Sequence, residues 1–163
     1  MSLQYNLILT EQGSYIFTTD NGVEYVAFFT TCPIEDSDGN MHKAYSFGFE
    51  RSGKYESEKF VHRYDEKIKH TIIFIIKEFF KLNGNDALIY FCFPDDEYAR
   101  HRSITFSRWH SEALSEEIQH LKKNTVINDD TYYGGILVLK ENPLRELIVE
   151  AVNVYIDQIM EQK

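Results

Sequence analysis

No stretch of the chain approaches the run of about 20 apolar residues that a membrane-crossing helix requires, so a bilayer-embedded protein is not expected. The first residues show no basic stretch leading into an apolar core, so no secretory signal is expected either. Cysteine occurs only at Cys32 and Cys92, too far apart for a zinc or dithiol motif, and usage this sparse fits a reducing cytoplasm. The six histidines, at 42, 62, 70, 101, 110 and 120, contain no His-x3-His pair, so no structural metal is expected. Glycine numbers eight and proline three, with no phosphate-cradling glycine loop and no elbow motif around Ser14, Ser46 or Ser103.

What is present is acid and aromatics. The 163 residues hold 26 Asp and Glu against 17 Lys and Arg, a formal charge of −9, which disfavours general binding to nucleic acid or anionic membranes. Twelve Phe, eleven Tyr and one Trp make 15% of the chain aromatic, and 43% is hydrophobic, enough for a core. Neither a linker nor a repeat divides the sequence, so a single domain over 1–163 is expected. An aromatic load this heavy in a short chain also raises homodimerisation as an expectation.

The first fifty residues alternate at strand period. Strands are expected over Tyr5 to Leu9, Ser14 to Thr19, Val23 to Thr31 and Ala44 to Glu50. Asp20-Asn21-Gly22 reads as a type I′ hairpin, which needs positive φ at two residues. Pro33 to Lys43 reads as a polar loop; placing Gly39 sixth in a calcium loop would put Ile34 first and Tyr45 twelfth, neither able to ligate.

From residue 65 the period becomes helical. Ile68, Ile72, Ile75, Ile76 and Phe79 form an apolar stripe ending near Asn83-Gly84, where Gly84 would supply a left-handed cap. Ala87 to Phe93 is an apolar run of strand length, as for a strand buried on both faces. Pro94-Asp95-Asp96 would open a second helix reaching about Lys123, followed by a strand over Tyr132 to Lys140 with Gly134-Gly135 as a bulge or close approach. Asn142-Pro143 would start the last helix, whose stripe runs from Leu144 to Ile159. The order ββββ-α-β-α-β-α predicts an α+β (mixed α/β) fold: a six-stranded mixed sheet with helices packed on it. The crossover predicts parallel pairing of its last two strands.

The most distinctive stretch is Tyr98 to His110, with three Arg, two His and no carboxylate in an acidic protein. Helical spacing gathers Arg100, His101, Ile104 and Arg108 on one side and Arg102, Phe106 and Trp109 on the other. The functional reading is a binding surface for an acidic protein or a phosphate-bearing ligand, using Arg100, His101, Arg102, Arg108 and Trp109. The structural reading is that Phe106 and Trp109 dock the helix while Arg102 packs along them.

The acidic turn after a buried strand, Arg102-x3-Phe106-x2-Trp109, the Asn-Gly hairpin and the isoleucine-rich helix together resemble an uncharacterised domain family of Bacteroidota. That resemblance implies a bacterial protein with no assigned activity, and the sparse cysteines and missing signal make a cytoplasmic one the expectation. Asp95, Tyr98 and Arg100 also resemble the strand-to-helix junction of ribonuclease H, and the element order is similar to that fold. The resemblance would imply two Mg²⁺ or Mn²⁺ ions held by converging carboxylates, Asp95 with Glu66 and Asp20. Only Asp95 occupies a fitting place, so the favoured expectation is a non-catalytic binding module without cofactor, with a degenerate metal-dependent nuclease as the alternative.

Overall fold

The computed structural model describes residues 3–51, 65–92 and 99–161. Among them the chain forms β1 (Ile8–Leu9), β2 (Tyr15–Thr18), β3 (Glu24–Glu35), β4 (Met41–Arg51), α1 (Glu66–Leu82) and β5 (Ala87–Cys92). It continues through α2 (Ala99–Ala113), β6 (Ile118–Lys122), β7 (Thr125–Ile127), β8 (Asp130–Leu139) and α3 (Arg145–Glu161). The result is an α+β fold on a mixed sheet in the order β1-β2-β3-β4-β5-β8-β6, with β7 paired to β8. The sheet thus holds eight strands, not the expected six.

Two expectations are overturned in the second half. Helix α2 ends at Ala113, and residues 118–122, expected to be helical, form strand β6. Strand β8 also runs antiparallel to β5, with Leu88 opposite Leu137 and Tyr90 opposite Gly135; the parallel pair is β4–β5, joined through α1. The cause is the added strand: β6 lies antiparallel to β8 at the sheet edge, so the chain reverses before entering β8.

The turns also differ from expectation. The hairpin at 19–23 has positive φ only at Gly22 (81°), with Gly22 N–H bonded to the Thr19 carbonyl, a type I turn closed by a left-handed glycine. The two-residue turn with positive φ at both positions is Asn128 (52°) and Asp129 (69°), between paired Ile127 and Asp130. The polar stretch 33–43 is mostly strand. Pro33 sits opposite Lys43, beyond the end of β2, where no neighbour on that side needs its missing N–H. Asp36 makes the tight turn, its Oδ1 accepting from Asp38 and Asn40 N–H at 2.9 Å each and its Oδ2 lying 2.5 Å from His42 Nε2. These bonds hold the Asp36 carboxyl below its usual range, His42 being the largest cause.

Helices cover both faces. Against one pack α1 and α2, with Ile72, Ile75, Ile76, Phe79, Phe106 and Trp109 meeting Phe17, Phe47, Leu88 and Tyr90. Against the other packs α3, with Ile148, Val152 and Ile156 on Ala44, Ile89 and Ile136. The Asp65 side chain caps α1 by accepting from Lys67 N–H at 2.9 Å. At its other end Gly84 does not take positive φ; the Asn83 side-chain amide donates to the Phe79 carbonyl at 2.9 Å instead. Among the described residues no aromatic side chain is exposed, and many of them are half-buried. No described helix is long and apolar enough to cross a membrane.

Candidate functional site

Helix α2 buries Ala99, Ser103, Phe106 and Trp109, a stripe that turns the start of the helix over the carboxyl ends of β4 and β5. Those strands are parallel and neighbouring, and the ends of parallel strands are where open α/β sheets leave room for ligands. A pocket of about 370 Å³ opens there. Phe47, Gly48 and Phe49 line it from β4, Tyr90, Phe91 and Cys92 from β5. From α2 come His101, Arg102, Thr105, Phe106 and Trp109.

One wall of the pocket is set by a tyrosine lying flat on the sheet. Gly135 faces Tyr90 across the β5–β8 pair, and a Cβ at Gly135 would come within 2.5 Å of the Tyr90 hydroxyl oxygen and a ring carbon. The missing side chain is what lets the ring reach β6, where its hydroxyl lies 2.5 Å from His120 Nε2. Burial lowers the His120 pKa to about 4, helped by His110 and Lys122, so the ring is neutral and Nε2 accepts. Burial pushes the Tyr90 hydroxyl well above its ordinary value, so it keeps its proton and donates. Phe106 completes the wall, 4.4 Å from the Tyr90 ring centre and edge-on to His120 at 5.8 Å. His110 Nε2 donates to the Ile118 carbonyl at 2.7 Å and ties α2 to β6.

The expected binding residues divide between two surfaces. His101, Arg102 and Trp109 converge on the pocket. Arg100 points to solvent beside Ile104, which is 51% exposed. Arg108 also faces outward, 4.0 Å from Glu112 one turn on. Glu112 bonds Lys69 across the α1–α2 seam, which holds its carboxyl below the ordinary range. Trp109 is buried, and its indole Nε1 has no hydrogen-bond partner. The sequence reading missed Phe47, Phe49, Tyr90 and His120; Gly134-Gly135, read as a close approach, was the available signal for the Tyr90 wall.

Two of the three carboxylates of the nuclease alternative lie among the described residues. Asp95 lies outside the described residues. Asp20, at the turn beyond β2, lies 3.5 Å from Lys67 Nζ, and Glu66 lies 3.9 Å from His70. Among the described residues no group of three or more His, Cys, Asp or Glu is placed to hold a metal ion.

The fold and site define an α+β domain carrying a ligand-sized apolar pocket between a mixed sheet and the helix that follows its central strand. Residues 64–161 match the model of a family of unknown function, DUF6169, and the chain belongs to that family. No curated protein and no solved structure matches it.

Proposed function

We propose that this protein is a non-catalytic binding module and that its binding site is the pocket beneath α2. The observation that carries the reading is convergence. His101, Arg102 and Trp109, singled out in the acid-free, Arg- and His-bearing stretch 98–110 of an acidic chain, line the same cavity as the ends of two parallel strands. A pocket lined mainly by aromatic side chains, with a few polar groups, is the usual form of a small-molecule site. Of the two partner classes expected from sequence, an acidic protein and a small anionic ligand, the geometry favours the small ligand. Arg100 and Arg108, which an acidic protein would meet first, lie outside the cavity.

The test is a thermal-shift screen of the full chain against a small-molecule collection. Compounds that raise the melting temperature of the native protein should fail to do so for Thr105→Phe, which fills the cavity. They should still stabilise Arg108→Ala. Equal stabilisation of Thr105→Phe would remove the pocket as the site.

A further inference from the structure

The two edges of the sheet end differently. One edge is β1, only two residues long, and so short a strand offers little for a further strand to pair with. The other is β6 with β7. Both share one register on β8, with Ile118 opposite Leu139 and Ile127 opposite Asp130, so together they present an edge over 118–127. Two backbone bonds fix which groups on it face β8. Lys140 N–H donates to the Glu117 carbonyl and Lys123 N–H to the Gly134 carbonyl, at 2.9 Å each. Bonded and unbonded residues alternate along an antiparallel pair, so Gln119, Leu121, Lys123, Thr125 and Ile127 turn their backbone groups toward β8 and the even-numbered residues turn theirs outward. Ile118 agrees with this phase. Its N–H donates to the Leu114 carbonyl at 3.0 Å and its carbonyl accepts from His110 at 2.7 Å, both on the side away from β8. Beyond Ile118 this capping stops. Among the described residues nothing pairs with the outward N–H and C=O groups of His120, Lys122, Asn124 and Val126, and the last three of these residues are exposed.

The charge of this edge selects its occupant. Residues 118–127 contain Lys122 and Lys123 and no acid, in a chain of charge −9. Lys123 bonds Asp157 at 2.9 Å, whereas Lys122 has no acidic partner among the described residues. The nearest acids along the edge, Glu117 and Asp129, stand five and seven residues from Lys122. At strand rise that is about 17 Å or more, beyond a screening length of about 10 Å. A second copy is opposed by the same charges. Antiparallel self-pairing over the full edge would set Lys123 opposite its own copy, and Glu116 and Glu117 opposite Asp130 and Asp129.

We infer that the β6–β7 edge accepts one more strand from a partner protein: a short extended segment with acidic residues at its centre. Main-chain bonds to the outward groups of His120 through Val126 supply the affinity, and the acid beside Lys122 supplies the selectivity. This surface is separate from the pocket beneath α2, none of whose lining residues belongs to it.

The probes are three capped peptides, Thr-Val-Glu-Val-Glu-Val-Thr and its counterparts with Gln or Lys in place of both Glu, each titrated into the ¹⁵N-labelled full chain. The Glu peptide should give saturable amide shifts gathered at 118–127. It should also slow hydrogen exchange at His120, Lys122, Asn124 and Val126, whereas Gln119, Leu121 and Lys123 are protected with or without it. At low salt it should bind about threefold more tightly than the Gln peptide, with the Lys peptide weakest, and Lys122→Gln should remove the difference. Asn124→Pro removes one outward N–H and leaves the β8 ladder intact, so it should weaken the Glu peptide, and Asn124→Ala should not. If Asn124→Pro fails to fold, the exchange pattern and Lys122→Gln still decide. No shift at the edge with any peptide would overturn the inference, as would equal binding of the Glu and Lys peptides. Protection of the same four amides that grows with the concentration of the chain alone would overturn it too, by giving the edge to a second copy.

Discussion

The Tyr90 hydroxyl lies 2.5 Å from His120 Nε2, and it reaches that far because Gly135 between them has no side chain. This contact joins β5 to β6 across β8 and fixes the wall of the pocket that α2 closes. Tyr90 and Phe106 both line the cavity and both touch His120, so the histidine stands directly behind the ligand-facing surface.

Acid should therefore loosen this wall. His120 has a pKa lowered from 6.5 to about 4 in the fold, so the unfolded chain binds more protons between those values. Its contribution to stability is complete above about pH 6.5 and is lost as pH falls toward 4. The full shift corresponds to about 3 kcal/mol, and solvent around a half-buried ring reduces this to about 2 kcal/mol. Urea unfolding at pH 7.5 and pH 5 should show the loss in the native chain, and His120→Gln should show much less of it. Equal losses in both proteins would assign the pH dependence to other groups.

Gly135→Ala should be strongly destabilising. The new methyl would enter the Tyr90 ring and hydroxyl, and overpacking of this kind costs about 1–3 kcal/mol. Because the clash is with one named side chain, the cost should shrink in a Tyr90→Ala background. Additive effects in that double-mutant cycle would contradict the ring's placement.

The turn at Asn128 and Asp129 should rank substitutions by their tolerance of positive φ. Asp129→Gly should be neutral or stabilising by up to about 0.5 kcal/mol, and Asp129→Val should cost about 1–2 kcal/mol. Melting of the three proteins checks the order. Equal melting temperatures would remove the left-handed backbone at that position.

Asp36→Ala should lower the melting temperature at pH 7, because two backbone N–H groups and His42 lose their acceptor. The folded-state pKa of Asp36 is depressed, so its contribution is present above the unfolded value of 3.8 and fades as pH falls below it. The gap between native and variant melting curves should narrow in that range. A gap that stays constant down to pH 3 would separate the turn from the charge.

How legible this architecture is depends on which forces fix each element. The stripe of α1 is local and strongly periodic, and Ile72, Ile75, Ile76 and Phe79 are buried as their spacing indicates. The two sides of α2 are readable in part: Phe106 and Trp109 lie inward and Arg100 and Arg108 outward, but His101, grouped with Arg100 by spacing, lines the pocket. Strand β6 is not readable: Ile-Gln-His-Leu-Lys holds two apolar residues, and pairing with β8 fixes its state, which local propensity cannot show. The antiparallel β5–β8 pair was missed with it, since the direction of β8 follows from β6. In the site, Trp109 and Arg102 stand out by composition. Tyr90 and His120 are distant in sequence and meet only through the sheet, and only the paired glycines marked the place.

The claim that the pocket beneath α2 is the binding site is tested most directly by mapping backbone amide shifts of the ¹⁵N-labelled chain on addition of a compound that raises its melting temperature. The account predicts saturable changes gathered at residues 47–49, 90–92 and 101–109, together with the Trp109 indole. Saturable changes confined to the outer row of Arg100, Ile104 and Arg108, or none anywhere, would contradict it.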